Sequence, residues 1–318
     1  LYDEGRIQGV LSAGGSGNTA IATAAMQALP VGVPKLMVST MAAGDTRDYV
    51  GGVDVTLMAS VTDVAGLNSI SSRILANAAA AMAGMVQAPP VEVAGGRPLV
   101  AATMFGVTTP CVTRARERLE EHGYEVLVFH ATGTGGKAME ALVDGGFLAG
   151  VLDATTTELC DELVGGVLSA GPDRLEAAGR AGLPQVVSLG ALDMVNFGAR
   201  DTVPPRFEGR NLYVHNPSVT LMRTTPQECA ELGRRIAAKL AAATGPVSLF
   251  VPLRGVSLID AEGQPFHDPE ADAALFGALR DGLAGSPVDL VELDHNVNDE
   301  EFAIAMADRL DEYLGGAR

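Results

Sequence analysis

The chain has 318 residues, 47% hydrophobic and 19% charged, a balance that supports folded cores and excludes an intrinsically disordered protein. Its net charge of −17 argues against nucleic acid as a partner, because phosphate contacts need clustered Lys and Arg. The three cysteines, Cys111, Cys160 and Cys229, have neither CxxC nor metal-ligand spacing, which points to a reducing cytoplasm, no disulfide framework and no metal centre.

From the amino end, "IQGVLSAGG" (7–15) reads as a buried strand, followed by a helix from about Asn18 to Leu29. "PKLMVST" (34–40) and "VDVTLMAS" (53–60) are the next strands. A helix from about Val64 to Met85 has little polar face, which predicts burial on more than one side or a subunit contact. Its stretch "ILANAAAAMAGMV" (74–86) is too short and too rich in Ala to span a bilayer, so no membrane is expected, and no signal peptide is visible. The chain opens on Leu and its first strand starts within seven residues, so the first domain is expected to lack its N-terminal part.

"QAPPVEVAGGRP" (87–98) is rich in Pro and Gly and reads as a link between domains 1–88 and 98–318. Beyond it come "LVAATMFG", "YEVLVFHAT", "LAGVLDAT", "PQVVSLGAL", "NLYVHN", "VSLFVPL" and "VDLVELD" as candidate strands. Helical patterns at 225–244, 268–283 and 299–314 alternate with the last of them. The expected fold class is α/β, with two Rossmann-like doubly wound domains and mostly parallel sheets.

Ligands in such sheets collect beyond the carboxyl ends of the strands, which selects the loops to inspect. In "SAGGSGNTAIATA" (12–24), Gly14, Gly15 and Gly17 permit a tight turn, and Ser16, Asn18 or Thr19 can cap the following helix. Exposed amides there attract anionic oxygens, but the run is not the GxGxxG fingerprint, and an anion seat and a plain structural turn are both open readings. "HATGTGGKAMEAL" (130–142) offers a second turn, with His130, Thr132, Gly133, Thr134, Gly135, Gly136 and Lys137. It is not a phosphate-binding loop of the Walker type, because Ala131 replaces the first Gly and Ala138 the hydroxyl residue. Lys137 in a first helical turn suits a ligand better than the helix dipole, and a solvated surface lysine is the alternative.

"GVTTPCVTRARERL" (106–119) places Thr108 and Thr109 as caps and Pro110 at the first helical position, with Cys111 read as buried and inert. Thr155-x-x-Glu158 has capping-box spacing, which leaves Asp153 as the functional carboxylate of that loop. Polar loops supply His215, Asn216 and Arg223, then Arg254, Ser257, Asp260 and His267, then Asp294, His295, Asn296, Asn298 and Asp299. Asn298 or Asp299 is expected to cap the last helix. Asp153, Asp294 and His295 are the candidates for proton transfer or magnesium recruitment, and His215, Asn216, Arg223 and Arg254 for substrate contact.

At "GGSGNTAIATAAMQALPVGVPKLMVST", "HATGTGGKAMEALV", "HNPSVTLMRTT" and "GVSLIDAEGQPFHDPEAD" the chain resembles the ATP-binding domain family of the tomato mosaic virus resistance protein. The resemblance runs from end to end, and it implies two Rossmann-like subdomains, ATP binding and self-association as a dimer or larger homo-oligomer. Members of that family begin with a further βα segment bearing a GTxDTKG-like motif, which this chain does not contain. The expected activity is therefore binding of ATP, with or without Mg2+, in a cleft between the lobes, held by the two Gly-rich turns. Two other readings stay open: an enzyme acting on a small carboxylate or acyl-phosphate, and a nucleotide-sensing interaction module without turnover.

Overall fold

A computed structural model describes residues 1–89 and 96–315. The chain divides into two compact units, Leu1–Gly96 and Arg97–Arg318. Half of the expected linker, residues 90–95, lies outside the described residues.

In the first unit, β1 (Val10–Gly14), β2 (Lys35–Ser39) and β3 (Thr56–Ala59) form a parallel sheet in that order. The central strand is buried at every residue, as a strand covered on both faces should be. Even Lys35 points inward there, its Nζ donating to Pro30 O, Val33 O and Asp54 Oδ1 at 2.7–3.0 Å. All three ammonium donors are satisfied, which makes this lysine a staple rather than a ligand group. Helix α1 (Ser16–Gln27) follows β1, the short α2 (Arg47–Val50) follows β2, and α3 (Ser69–Gln87) closes the unit. The last helix starts five residues later than its apolar pattern suggests. Asn68 caps it by accepting from the amides of Ile70 and Ser71, and Ser71 returns a bond to the Asn68 amide. Within the single chain only Ser71 and Ala78 of this helix are fully buried, and the helix packs on the sheet by one face.

The second unit is built on β4 (Leu99–Met104), β5 (Glu125–His130), β6 (Gly150–Thr155), β7 (Gln185–Gly190), β11 (Val247–Pro252) and β12 (Asp289–Leu293). They lie in the order β12-β11-β7-β6-β4-β5, all parallel. Alternate residues serve opposite faces. Val100, Ala102, Val186 and Phe250 pack against α4 (Thr109–Glu121) and α10 (Glu300–Leu314). Ala101 and Val151 face α5 (Thr134–Asp144) and α7 (Ala177–Ala181), while Val187, Leu249 and Val251 face α8 (Pro226–Ala241) and α9 (Pro269–Leu283). This is a doubly wound α/β layer structure.

Between β7 and α8 the chain inserts an antiparallel sheet that the alternating pattern did not announce. It consists of β8 (Met194–Phe197), β9 (Leu212–Asn216) and β10 (Val219–Arg223), in the order β8-β10-β9. The "NLYVHN" strand belongs here and not to the parallel sheet. Both β8 and β10 were missed because each has only four or five residues and lies almost wholly buried, without the alternation of a half-exposed strand.

Candidate functional site

The two Gly-rich junctions fold in opposite ways. In the first unit, β1 ends at Gly14 and α1 begins at Ser16, with Gly15 at the N-cap and no side chain capping the helix. The residues expected to cap it are engaged elsewhere. Asn18 Nδ2 turns back to donate to Ala13 O at 2.8 Å and Ser12 Oγ at 3.2 Å. Thr19 Oγ1 donates to Gly15 O and shares a 2.6 Å bond with Ser39 Oγ. Ser16, Gly17 and Asn18 are exposed, so the amide end of a twelve-residue helix faces outward.

Beside this helix end lies a cleft of about 490 Å³ at the carboxyl ends of β2 and β3, lined by Ser39, Thr40, Ala43, Ser60, Val61 and Thr62 among others. A Cβ on Gly15 would stand 3.8 Å from Thr40 Oγ1, which places the helix start at the rim of the cleft. Two features of the lining are unusual. Val61 adopts φ +62° although it is β-branched and 79% exposed, a conformation that costs on the order of 1–3 kcal/mol and concentrates at functional sites. Thr62 Oγ1 is buried without a hydrogen-bond partner. None of these residues stood out in the sequence. The available signal was positional, since "VST" and "ASVTD" follow strands on the same edge as the Gly-rich turn.

The second junction is closed from within. Gly133, at φ +86°, is the N-cap of α5. Its amide and that of Gly136 both donate to Glu158 Oε1, at 2.6 and 3.1 Å. These amides are spent on an internal carboxylate and are not open to a phosphate. A Cβ on Gly136 would meet Glu158 Oε2 at 2.1 Å, and one on Gly135 would meet His130 O at 1.9 Å, so these glycines admit protein and not ligand. Thr132 bonds back to His130 O. Lys137, Thr134 and His130 are exposed at the rim.

Glu158 therefore does not form the expected capping box. Thr157 is the N-cap of α6 (Glu158–Val164) without a side-chain bond, and Thr155 Oγ1 instead pairs with Thr108 Oγ1 at 2.7 Å. The other Glu158 oxygen accepts from Arg174 Nε at 2.7 Å, and Arg174 is fully buried. Arg174 also makes a two-pronged contact with Asp153 at 2.5 and 2.7 Å, and Asp153 accepts from Thr103 Oγ1 at 2.7 Å. Thr103 and Asp153 end neighbouring strands β4 and β6, where the strand order reverses. This is the position where such sheets usually seat a ligand. Here the protein fills it with its own guanidinium, and the expectation of Asp153 as a free carboxylate for magnesium or proton transfer is corrected accordingly.

The later loops do not assemble one substrate pocket. Arg223 is 4% exposed and faces Asp260 and Asp272, whereas Arg254 is exposed and pairs with Asp294 at 2.6–2.8 Å. His295 Nδ1 lies 3.3 Å from Asp299, the N-cap residue of α10. His215 is exposed, and Asn216 caps its own turn by accepting from Ser218. Asn298 Oδ1 accepts the Cys111 amide and so covers the start of α4 rather than of α10. All three cysteines are free and buried. Burial raises their thiols, Cys111 to about 12 and Cys229 to about 11, so none is a thiolate at neutral pH. Among the described residues no cluster of His, Cys, Asp or Glu has the arrangement to hold a metal ion. Nor is any helix among them long and apolar enough to cross a membrane.

Residues 1–90 match the N-terminal domain and residues 97–314 the C-terminal domain of an uncharacterised protein family, UPF0261. The chain belongs to that family. A UPF0261 protein of Clostridium tetani is 58% identical over 98% of this chain and 77% of its own length. One from Rhizobium meliloti is 55% identical over 94% of this chain and 75% of its own length. The tomato ToMV resistance protein Tm-1(GCR237) is 46% identical over 96% of this chain, which spans 41% of that protein. Among solved structures, a thioesterase domain from the curacin biosynthetic pathway is 13% identical, with a TM-score of 0.31 over 67% of this chain and 90% of that one. That likeness carries no argument about chemistry.

Proposed function

We propose that this UPF0261 protein binds a phosphorylated ligand, ATP being the one implied by its resemblance to the tomato resistance-protein family, at the α1 end of the first unit. The observation that carries this reading is the uncapped amide end of α1 beside an open cleft of about 490 Å³. A helix start of this kind offers several N–H donors and the positive end of the dipole to phosphate oxygens without needing a cation. The Thr40 hydroxyl in the cleft adds a neutral donor and Thr62 Oγ1 has spare bonding capacity, whereas the Ser60 hydroxyl already donates to Thr62 O and Asp63 sets a carboxylate on the same lining. The strained Val61 stands on the same rim. Gly14, Gly15, Ser16, Gly17, Asn18 and Thr19 form the cradle in this reading, with Asn18 and Thr19 fixing the turn and Gly15 to Gly17 presenting amides. The turn at 130–137 contributes no backbone donors from Gly133 or Gly136.

Gly17→Asp is the discriminating variant. A Cβ at Gly17 meets nothing within 4 Å, and an acidic residue in a first turn favours the helix. The protein stays folded, while a carboxylate is set where the phosphate would bind. Calorimetric titration with ATP should give binding for the natural chain and a loss of roughly tenfold or more for the variant, about 1.4 kcal/mol. Equal affinity in the two proteins would remove α1 from the site.

A further inference from the structure

The second unit holds a different kind of cluster, around Arg223 at the end of β10. The guanidinium donates from Nε to Phe266 O at 2.7 Å and from Nη1 to Thr224 Oγ1 at 2.9 Å. Its Nη2 donates to Asp260 Oδ1 at 3.1 Å and Asp272 Oδ1 at 2.7 Å. Asp260 belongs to the loop after β11, and its other oxygen accepts the Val256 amide at 2.8 Å. Asp272 sits in the first turn of α9. A third carboxylate, Asp193, follows β7 and accepts from Ser257 Oγ at 2.7 Å, while its Oδ1 is buried with no partner. The remaining polar neighbours are Cys229 Sγ, 3.8 Å from Arg223, Cys160 near Asp193, the Asp268 cap of α9, and His267, whose Nδ1 lies 3.1 Å from Asp260 O.

The charge count is unfavourable as drawn. Asp193 and Asp260 are wholly buried and Asp272 is 8% exposed, and the single buried cation beside them, Arg223, pairs with Asp260 and Asp272 and reaches Asp193 only through space. Three ionised carboxylates would leave uncompensated negative charge in the interior, where desolvation is costly, and a bound proton relieves it. We infer that Asp260 and Asp272 share one proton on the Arg223 hub, and that this proton closes the antiparallel insert against the loop after β11 and the start of α9. In keeping with that burial and charge, desolvation and the neighbouring charges of Asp193 and Asp272 push Asp260 up to about 9, and burial raises Asp193 to about 6. Burial raises Asp272 as well, against the pull of Arg223.

The sign of the linkage follows. A carboxyl that holds its proton more tightly when closed than when open contributes stability that is fully present below its unfolded value near 3.8. That stability is lost progressively as pH rises toward the closed-state value near 9, above which the loss levels off. The insert and the 253–268 loop thus form a proton-dependent clasp at the carboxyl edge of the sheet. It lies within the second unit and does not depend on nucleotide binding at α1.

Hydrogen–deuterium exchange on the full chain, corrected for the intrinsic pH dependence of exchange, tests the clasp. From about pH 6 to about pH 9, opening of 212–223 and 255–272 should grow by up to about tenfold per pH unit in the natural protein, as one released proton requires. Asp260→Asn should flatten that dependence, with the β4–β7 segments unchanged. Isotope-edited infrared spectra of aspartate-labelled protein at about pH 7.5 should show a protonated carboxyl that Asp260→Asn removes. If that variant does not fold, Asp272→Asn should weaken both the carboxyl signal and the slope. Opening that is independent of pH, or the absence of a protonated aspartic acid in the natural protein at that pH, overturns the inference.

Discussion

The strand-to-helix turns after β1 and after β5 look alike as sequence, each a run of small residues leading into a helix. As structure they differ in what meets their amides. At α1 nothing does, since Gly15 has no side chain and Asn18 and Thr19 bond backward into the turn. At α5 the Glu158 carboxylate takes the place an anionic ligand would take, itself held by Arg174. A helix end draws negative charge in both cases; the difference lies in whether the chain supplies that charge itself. An open turn is a candidate for function, and a filled one is a piece of the core.

Removing the internal anion breaks this contrast most severely. Glu158→Ala leaves the Gly133 and Gly136 amides and one side of a fully buried guanidinium without their partner. Breaking a buried ion pair in this way costs about 3–5 kcal/mol, so chemical denaturation should show a strongly destabilised second unit. Gly136→Ala should follow with about 1–3 kcal/mol, because its Cβ would fall on Glu158 and Arg174, neither of which is free to move aside. The same change at Gly17 should have the opposite sign, a gain of about 0.5–1 kcal/mol, because the side chain enters open space on a helix. A loss at Gly17 as large as at Gly136 would show that the first turn is not open. The smallest effect is expected for Lys137→Ala. Its side chain is exposed on the closed turn, and ATP affinity measured by calorimetry should stay within about twofold if phosphate binds at α1. A large loss would return the turn at 130–137 to the site.

Much of the architecture was readable from pattern alone. The strands at 10–14, 35–39 and 56–59, and those of the parallel sheet in the second unit, coincide with short Val/Leu/Ile runs set between helical periods. The capping of α8 was equally local, with Thr225 and Glu228 exchanging bonds and Pro226 in the first turn. The site was less legible. Thr155 and Glu158 have ideal spacing for a capping box, yet Glu158 is drawn away to two amides 22 and 25 residues earlier in the chain. Spacing reports which partners are near in sequence, and here a distant pair of donors next to a buried cation offered the carboxylate more. Arg223 misleads in the same way. On a polar loop it reads as a substrate contact, but the fold turns it inward to join β10 to α9.

By itself, then, the sequence determined the strands of the two parallel sheets, their α/β alternation and the two small-residue turns, because these depend on propensity, period and backbone freedom over a few neighbouring residues. Only the tertiary structure decided which turn stays open, which carboxylates are neutralised from within and where the insert is clasped. Those outcomes depend on long-range partners such as Arg174 with Asp153 and Arg223 with Asp272, whose pairing is set by burial and charge balance and leaves no periodic trace along the chain.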